Sequence, residues 1–237
     1  MSINMDDEIA RLAGLEILTP DQIMTESLKL VGFDLKRQQR ASIITNIARF
    51  KAFFGASPAD AANNWEDLQT TDIKDALMHK KEKDLFYLLM AFHFLFCYPT
   101  KYKAEGIFKV SVRTIYKWAW FFIGKLAALS GSKITWPEEW DTDAEGVPEF
   151  LLTVDGVHCR SFEPVHPTLP KNKKAFSHKF HQSDYANEVT LSIWENHVVY
   201  INGPLLAGKS DLEIFREGLK KEILKGKKVV ANQGLLA

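Results

Sequence analysis

Through residues 1–133 apolar positions recur at helical spacing, and from residue 150 they alternate or form short continuous runs. The change of period predicts a helical front half and a strand-rich back half. In I-I-T-N-I-A-R-F-K-A-F-F-G, Ile43, Ile47, Phe50 and Phe54 share a helical spacing and Gly55 supplies a stop. Ser57-Pro58 opens a second helix, because proline fits the first turn. A third runs from about Thr71 into the stretch L-F-Y-L-L-M-A-F-H-F-L-F-C-Y, Leu85 to Tyr98. That stretch is only 14 residues long and contains His93, so it predicts a buried core helix and no membrane partner.

Residues 134–149 change character. I-T-W-P-E-E-W-D-T-D-A-E-G-V is acidic, carries proline and glycine, and reads as a linker. Beyond it, F-L-L-T-V-D-G (Phe150 to Gly156) predicts a strand ending at Asp-Gly. Glu188 to Trp194 alternates apolar and polar residues, E-N-H makes a turn, and His197 to Pro204 pairs back as a hairpin. Ser210 to Leu224 predicts one amphipathic helix with Leu212, Phe215, Leu219 and Ile223 on its inner face and a Ser210–Glu213 capping box. Val229 to Ala231 starts a last buried strand. The fold class expected is α + α/β, with a helical domain over 1–133, a linker over 134–149 and a mixed sheet with one helix over 150–237.

Composition narrows this little. Hydrophobic residues make up 46% and charged residues 25%, which excludes wholesale disorder. Thirty basic residues balance thirty acidic ones, so only the placement of charge can signal an anionic partner. Cys97 and Cys159 are far apart and form no C-x-x-C, and the acidic start M-S-I-N-M-D-D-E is not a signal peptide. A reduced, intracellular protein is expected.

Charge is concentrated in one place. From Lys101 to Lys133 there are seven basic residues and one acid, Glu105. Here a short helix from about Tyr102 to Phe108 is followed by the turn Lys109-Val110-Ser111, and Ser111 caps a longer helix from Val112. Val112, Ile115, Ala119, Phe122 and Leu126 form its buried stripe, while Arg113, Thr114 and Lys117 project elsewhere near its start. In a helix-turn-helix these early positions of the second helix reach base edges. Residues 101–129 are therefore expected to bind DNA through Lys109, Ser111, Arg113, Thr114 and Lys117. The plain alternative is a helical hairpin with solvated lysines. Trp118, Trp120 and Phe121 are expected to pack against the second half.

Four segments of the back half occur in a recognisable order: Asp155-Gly156-Val157-His158, Ser177-His178-Lys179, Gly203-Pro204 through Gly208-Lys209-Ser210-Asp211, and Val230-Ala231-Asn232-Gln233-Gly234. Over residues 150–237 the chain resembles the front of the DDE transposase superfamily, closest to the PIF/Harbinger type. That family runs strand-D-G-T-H, a Y-S-x-K-like segment, a G-P…G…D segment leading into a helix, and strand-A-D-x-G-Y.

The resemblance implies an RNase H-like fold and metal-dependent DNA cleavage and strand transfer. Three acids would hold two Mg²⁺ or Mn²⁺ ions, one activating the attacking oxygen and one stabilising the leaving oxygen. The first acid matches Asp155, at the tip of the first strand. The second matches Asn232, where an asparagine stands in place of aspartate, and the family's tyrosine is Leu235. A third acid is expected further on than Ala237. Asp211 is a candidate supporting acid, or simply a good residue for a helix N-terminus. His158, His166, His178 and His181 with Cys159 fit no common zinc spacing.

The resulting expectation is a degenerate DDE transposase, truncated within the catalytic domain, that keeps DNA binding and loses two-metal chemistry. A sheet edge and apolar surface would then be exposed in the back half. DNA, and transposon ends by resemblance, is the implied partner, with a homo-oligomer or a helper DNA-binding protein beside it. The nucleus is the implied location if the source is eukaryotic, the cytoplasm otherwise. Two alternatives stay open: a domesticated DNA-binding regulatory module without nuclease activity, and an active transposase completed by downstream sequence.

Overall fold

The computed structural model describes residues 18–33, 40–70, 81–137, 150–161, 173–195, 197–223 and 227–231. The chain divides into two compact units, Met1–Ser130 and Gly131–Ala237. The first is helical and the second holds the sheet, so the fold is mixed α/β.

In the first unit, α1 (Pro20–Leu30) starts on a capping box in which Thr19 and Gln22 satisfy each other's backbone N–H groups. Helix α2 (Ile43–Phe54) starts on Ser42, which accepts from the Thr45 N–H, and stops at Gly55, whose φ of 71° only glycine adopts cheaply. Phe50 and Phe54 are buried and Ile47 half-buried, but Ile43 is exposed. The predicted stripe therefore begins one turn later than its spacing suggests. Helix α3 (Pro58–Thr70) brings Trp65 and Leu68 to the same core.

Helix α4 (Lys81–Cys97) is the predicted core helix, with Leu88, Leu89, Met90 and Ala91 fully enclosed. Its expected beginning near Thr71 lies outside the described residues. Burial of Leu88, Leu89 and Met90 contributes about 1.5–3 kcal/mol each over the exposed state. His93 is enclosed among Phe53, Phe54 and Phe108, with ring centroids 5.2–6.2 Å away. Its Nδ1–H donates to the Phe53 carbonyl at 2.9 Å. Burial holds its pKa below the ordinary histidine value, with the Phe53 hydrogen bond pulling the other way. Helices α5 (Lys101–Phe108) and α6 (Val112–Ala128) complete the unit, and the single turn α7 (Ser130–Lys133) follows. Among the described residues no helix is long and apolar enough to cross a membrane.

The second unit is built on β1 (Phe150–Arg160), β2 (Phe176–Ser177), β3 (Gln182–Ser192), β4 (Val198–Leu206) and β5 (Lys228–Ala231). The main sheet order is β4-β3-β1-β5, with β2 paired to the start of β3. The first three main strands are antiparallel, and β5 returns parallel to β1 after a helical crossover. Leu151, Leu152, Val154, Val199 and Leu219 form the core, with Trp136, Tyr200 and Phe215 packed on it.

Three expectations change here. Strand β1 does not end at Asp155-Gly156, because β3 is long enough to pair with it from Leu152↔Ser192 to Arg160↔Asp184. Asp155 therefore sits in mid-strand and not at a tip. Second, the buried face of β3 is the polar one: Asp184, Glu188, Thr190 and Ser192 are enclosed with Ala186, while Tyr185 on the alternate face is exposed. Val157, Ile201 and Val230 are also exposed. Third, the predicted single helix is two pieces, α8 (Asp211–Glu217) and α9 (Leu219–Glu222), broken at Gly218 with φ −107° and ψ −106°. Ile214 and Leu219 are its buried residues, while Leu212, Phe215 and Ile223 are half-buried.

Candidate functional site

Two groups of residues were singled out by sequence, one in each unit. The first is the pair α5 and α6. Helix α5 ends on Lys109, which adopts a left-handed φ of 56° and sends its N–H to the Glu105 carbonyl at 2.9 Å. That conformation turns the chain sharply enough for Ser111 to begin α6 two residues later. Ser111 Oγ accepts from the Thr114 N–H at 3.3 Å and lies 2.9 Å from Thr114 Oγ1. Both hydroxyls of this early turn are thus engaged in building the helix start.

Ile115, Ala119 and Phe122 anchor α6, and Ile115 joins Met90, Ala104 and Phe108 in a small core that locks α5 against it. Arg113 and Lys117 stand exposed one turn apart, and among the described residues neither is paired with an acid. The Lys117 ammonium lies 4.6 Å from the Trp118 ring centroid. Lys109, Arg113 and Lys117 are exposed together, Ser111 is exposed at the cap, and Thr114 is half-buried.

The aromatic residues of α6 correct the sequence reading. Trp118 stacks on Tyr87 at 4.8 Å and Phe121 packs edge-on against Trp118 at 5.5 Å, so both serve the first unit's own core. Trp120 is 59% exposed.

The second group surrounds Asp155. A small notch is lined by Val154, Asp155, Gly156, Asn187, Glu188, Asp211 and Ile214. Asp211 lies in the first turn of α8, behind the Ser210–Glu213 capping box that the sequence predicts. Its Oδ1 approaches so close to Gly156 that a Cβ there would lie 2.8 Å away. Gly156 faces Glu188 across the strand pair, whereas Asp155 faces Val189. Neighbouring positions on a strand point to opposite faces, so Asp155 projects away from the face that carries Asp211 and Glu188. Its Oδ1 accepts the Gly156 N–H at 2.9 Å.

Glu188 was not singled out by sequence. It is buried, and its Oε2 accepts the Leu219 N–H at 3.3 Å, tying β3 to the first residue of α9. Burial raises its pKa above the usual carboxylate value, the Leu219 and Asn202 hydrogen bonds oppose this, and the charge of Asp211 adds to the rise. A side chain at Gly218 would run first into the Asn202 amide, with Glu188 Oε2 3.0 Å from the added Cβ.

Asn232 lies outside the described residues, as do His166 and Leu235. Strand β5 is described to Ala231, which pairs with Val154, the residue before Asp155. His158 sits against Phe180 with centroids 5.0 Å apart, and its Nδ1 is 3.8 Å from Asp184 Oδ2. Ser177 ends β2, and His178 to His181 form the tight turn into β3, closed by the His181 N–H on the Ser177 carbonyl at 2.8 Å. Among the described residues no three His, Cys, Asp or Glu side chains are grouped so as to hold a metal ion. The pleat separates Asp155 from Asp211, so these residues alone do not fit a two-metal centre. Comparison of the chain with protein-family models, with curated proteins and with solved structures returns no match.

Proposed function

We propose that the protein is a DNA-binding protein related to the DDE transposases, reading duplex DNA with α6. One observation carries the reading. A helix begun by Ser111 and turned in by Lys109 presents Arg113 and Lys117, exposed and without acidic partners among the described residues, at its leading end. A helix-turn-helix uses these positions for contacts to bases and phosphates. Concentrating seven basic residues within 101–133 of a neutral chain gives the phosphate term its local source.

The back half supports the family reading by its topology. Three antiparallel strands followed by a helical crossover to a strand parallel with β1 is the order expected for the front of an RNase H-like domain.

Strand-transfer chemistry is left out of the proposal. The family's second metal-binding acid falls on Asn232, which offers a neutral carbonyl where two Mg²⁺ or Mn²⁺ ions would need a bridging carboxylate. The function proposed is that of a regulatory DNA-binding module descended from a transposase. Fluorescence anisotropy with labelled duplexes tests it: binding that weakens steeply as salt rises supports the reading, and no binding at low salt refutes it.

A further inference from the structure

The solvent face of α6 carries more than Arg113 and Lys117. Arg113, Tyr116, Lys117, Trp120 and Gly124 follow one another at i, i+3, i+4, i+7 and i+11 and are all exposed, so they form one continuous stripe. Trp120 is 59% and Tyr116 40% exposed, and Tyr98, at the end of α4, is 79% exposed. All three rings pack on one buried ring, Phe94, with centroids 5.9, 6.0 and 5.5 Å away. They are therefore held in place rather than swinging free. One turn beyond Trp120, a Cβ at Gly124 would meet nothing within 4 Å, so the stripe opens onto clear space.

Three fixed aromatic faces in water are costly unless something covers them. The charges beside them say what. Arg113 and Lys117 lie on the same stripe, and α6 contains no acidic residue. Cations interleaved with ring faces match a single nucleic-acid strand, whose phosphates meet the cations while its unstacked bases lie on the rings. A duplex offers the groove only base edges, which cannot stack. We infer that this stripe binds an unpaired DNA strand, with Arg113 and Lys117 on phosphates and Tyr116 and Trp120 as stacking platforms. The inference rests on α6 being the DNA-binding element, and adds that unpaired bases are among its targets.

The test uses the full chain, a labelled oligo-dT strand and a duplex of mixed sequence, with Trp120→Ala, Trp120→Phe and Tyr116→Ala variants. Trp120→Ala should weaken single-strand binding about tenfold and leave duplex binding within about twofold, and Trp120→Phe should restore most of the loss. Trp120 is exposed, so an unchanged melting temperature confirms that the alanine variant folds. Single-strand affinity unmoved by Trp120→Ala overturns the inference while duplex binding leaves the broader reading standing. Loss of self-association in Trp120→Ala, with single-strand affinity unchanged, also overturns it and assigns the rings to a copy of this chain. Binding of neither DNA form removes both readings.

Discussion

Gly156 lies directly beneath the Asp211 carboxylate: a Cβ on Gly156 would stand 2.8 Å from Asp211 Oδ1. Helix α8 thus rests its first turn directly on β1, and a side chain at position 156 would have to push the Asp211 carboxylate aside. Gly156→Ala should displace the Asp211 carboxylate and destabilise the second unit by about 1 kcal/mol. In an Asp211→Ala background the same change should turn stabilising, by about 0.5 kcal/mol, because alanine loses less entropy in a strand. Chemical denaturation of the four proteins reads the coupling. Additive effects would show that the two residues do not touch.

Glu188 predicts a pH dependence. Its folded pKa is raised by burial, so the folded state holds the proton more tightly than the unfolded chain. The stability this contributes is fully present below the ordinary glutamate value and is lost as pH rises through the raised value. Glu188→Gln should remove that decline and leave the protein at least as stable as wild type near neutrality. Melting temperatures across pH 4 to 8, a range set by the ordinary carboxylate pKa of about 4.3, check it. A variant with the same slope as wild type would contradict the assignment.

His93 predicts the opposite slope in the other unit. Its pKa is lowered by burial, so the unfolded chain takes up the proton first. Stability is fully present above the ordinary histidine value of about 6.5 and is lost as pH falls below it. His93→Phe keeps a ring among Phe53, Phe54 and Phe108 while giving up the bond to the Phe53 carbonyl. It should flatten the acid limb of the melting profile and cost about 1 kcal/mol at pH 7 for the lost hydrogen bond. An acid limb unaltered by the substitution would place the proton uptake elsewhere.

Lys109 separates structure from binding. Its left-handed φ of 56° is one that a lysine adopts at a cost and a glycine does not. Lys109→Gly should stabilise the first unit by about 0.5–1 kcal/mol and still weaken DNA binding by removing one phosphate contact. Stability and affinity moving in the same direction would show that the residue acts only through the fold.

Much of this architecture was legible in the sequence. Caps at Ser111 and Ser210, stops at Gly55 and Lys109-Val110, and the hairpin of β3 with β4 all follow from short-range chemistry. Long-range pairing was not legible. The run of β1 past Asp155 depends on the length of β3, and the inward turn of Glu188 and Thr190 reverses the usual reading of alternation. The break at Gly218 had a local signal, a glycine within a helical pattern, but the tertiary bond that accompanies it, from the Leu219 N–H to Glu188, had none. Trp120 was misjudged because a tryptophan at helical spacing usually packs inward, and only the placement of Phe94 shows it resting on the surface.

The central claim is that α6 contacts DNA phosphates through Arg113 and Lys117. The direct measurement is the slope of log affinity against log salt concentration for a duplex, compared between wild type and Arg113→Ala/Lys117→Ala. Both side chains are exposed, so the double variant should melt with the wild type. Each lost phosphate contact removes about 0.9 from the slope, so the account predicts a slope shallower by about 2 together with weaker binding. An unchanged slope and affinity would contradict it and leave the basic face of α6 without a role in DNA binding.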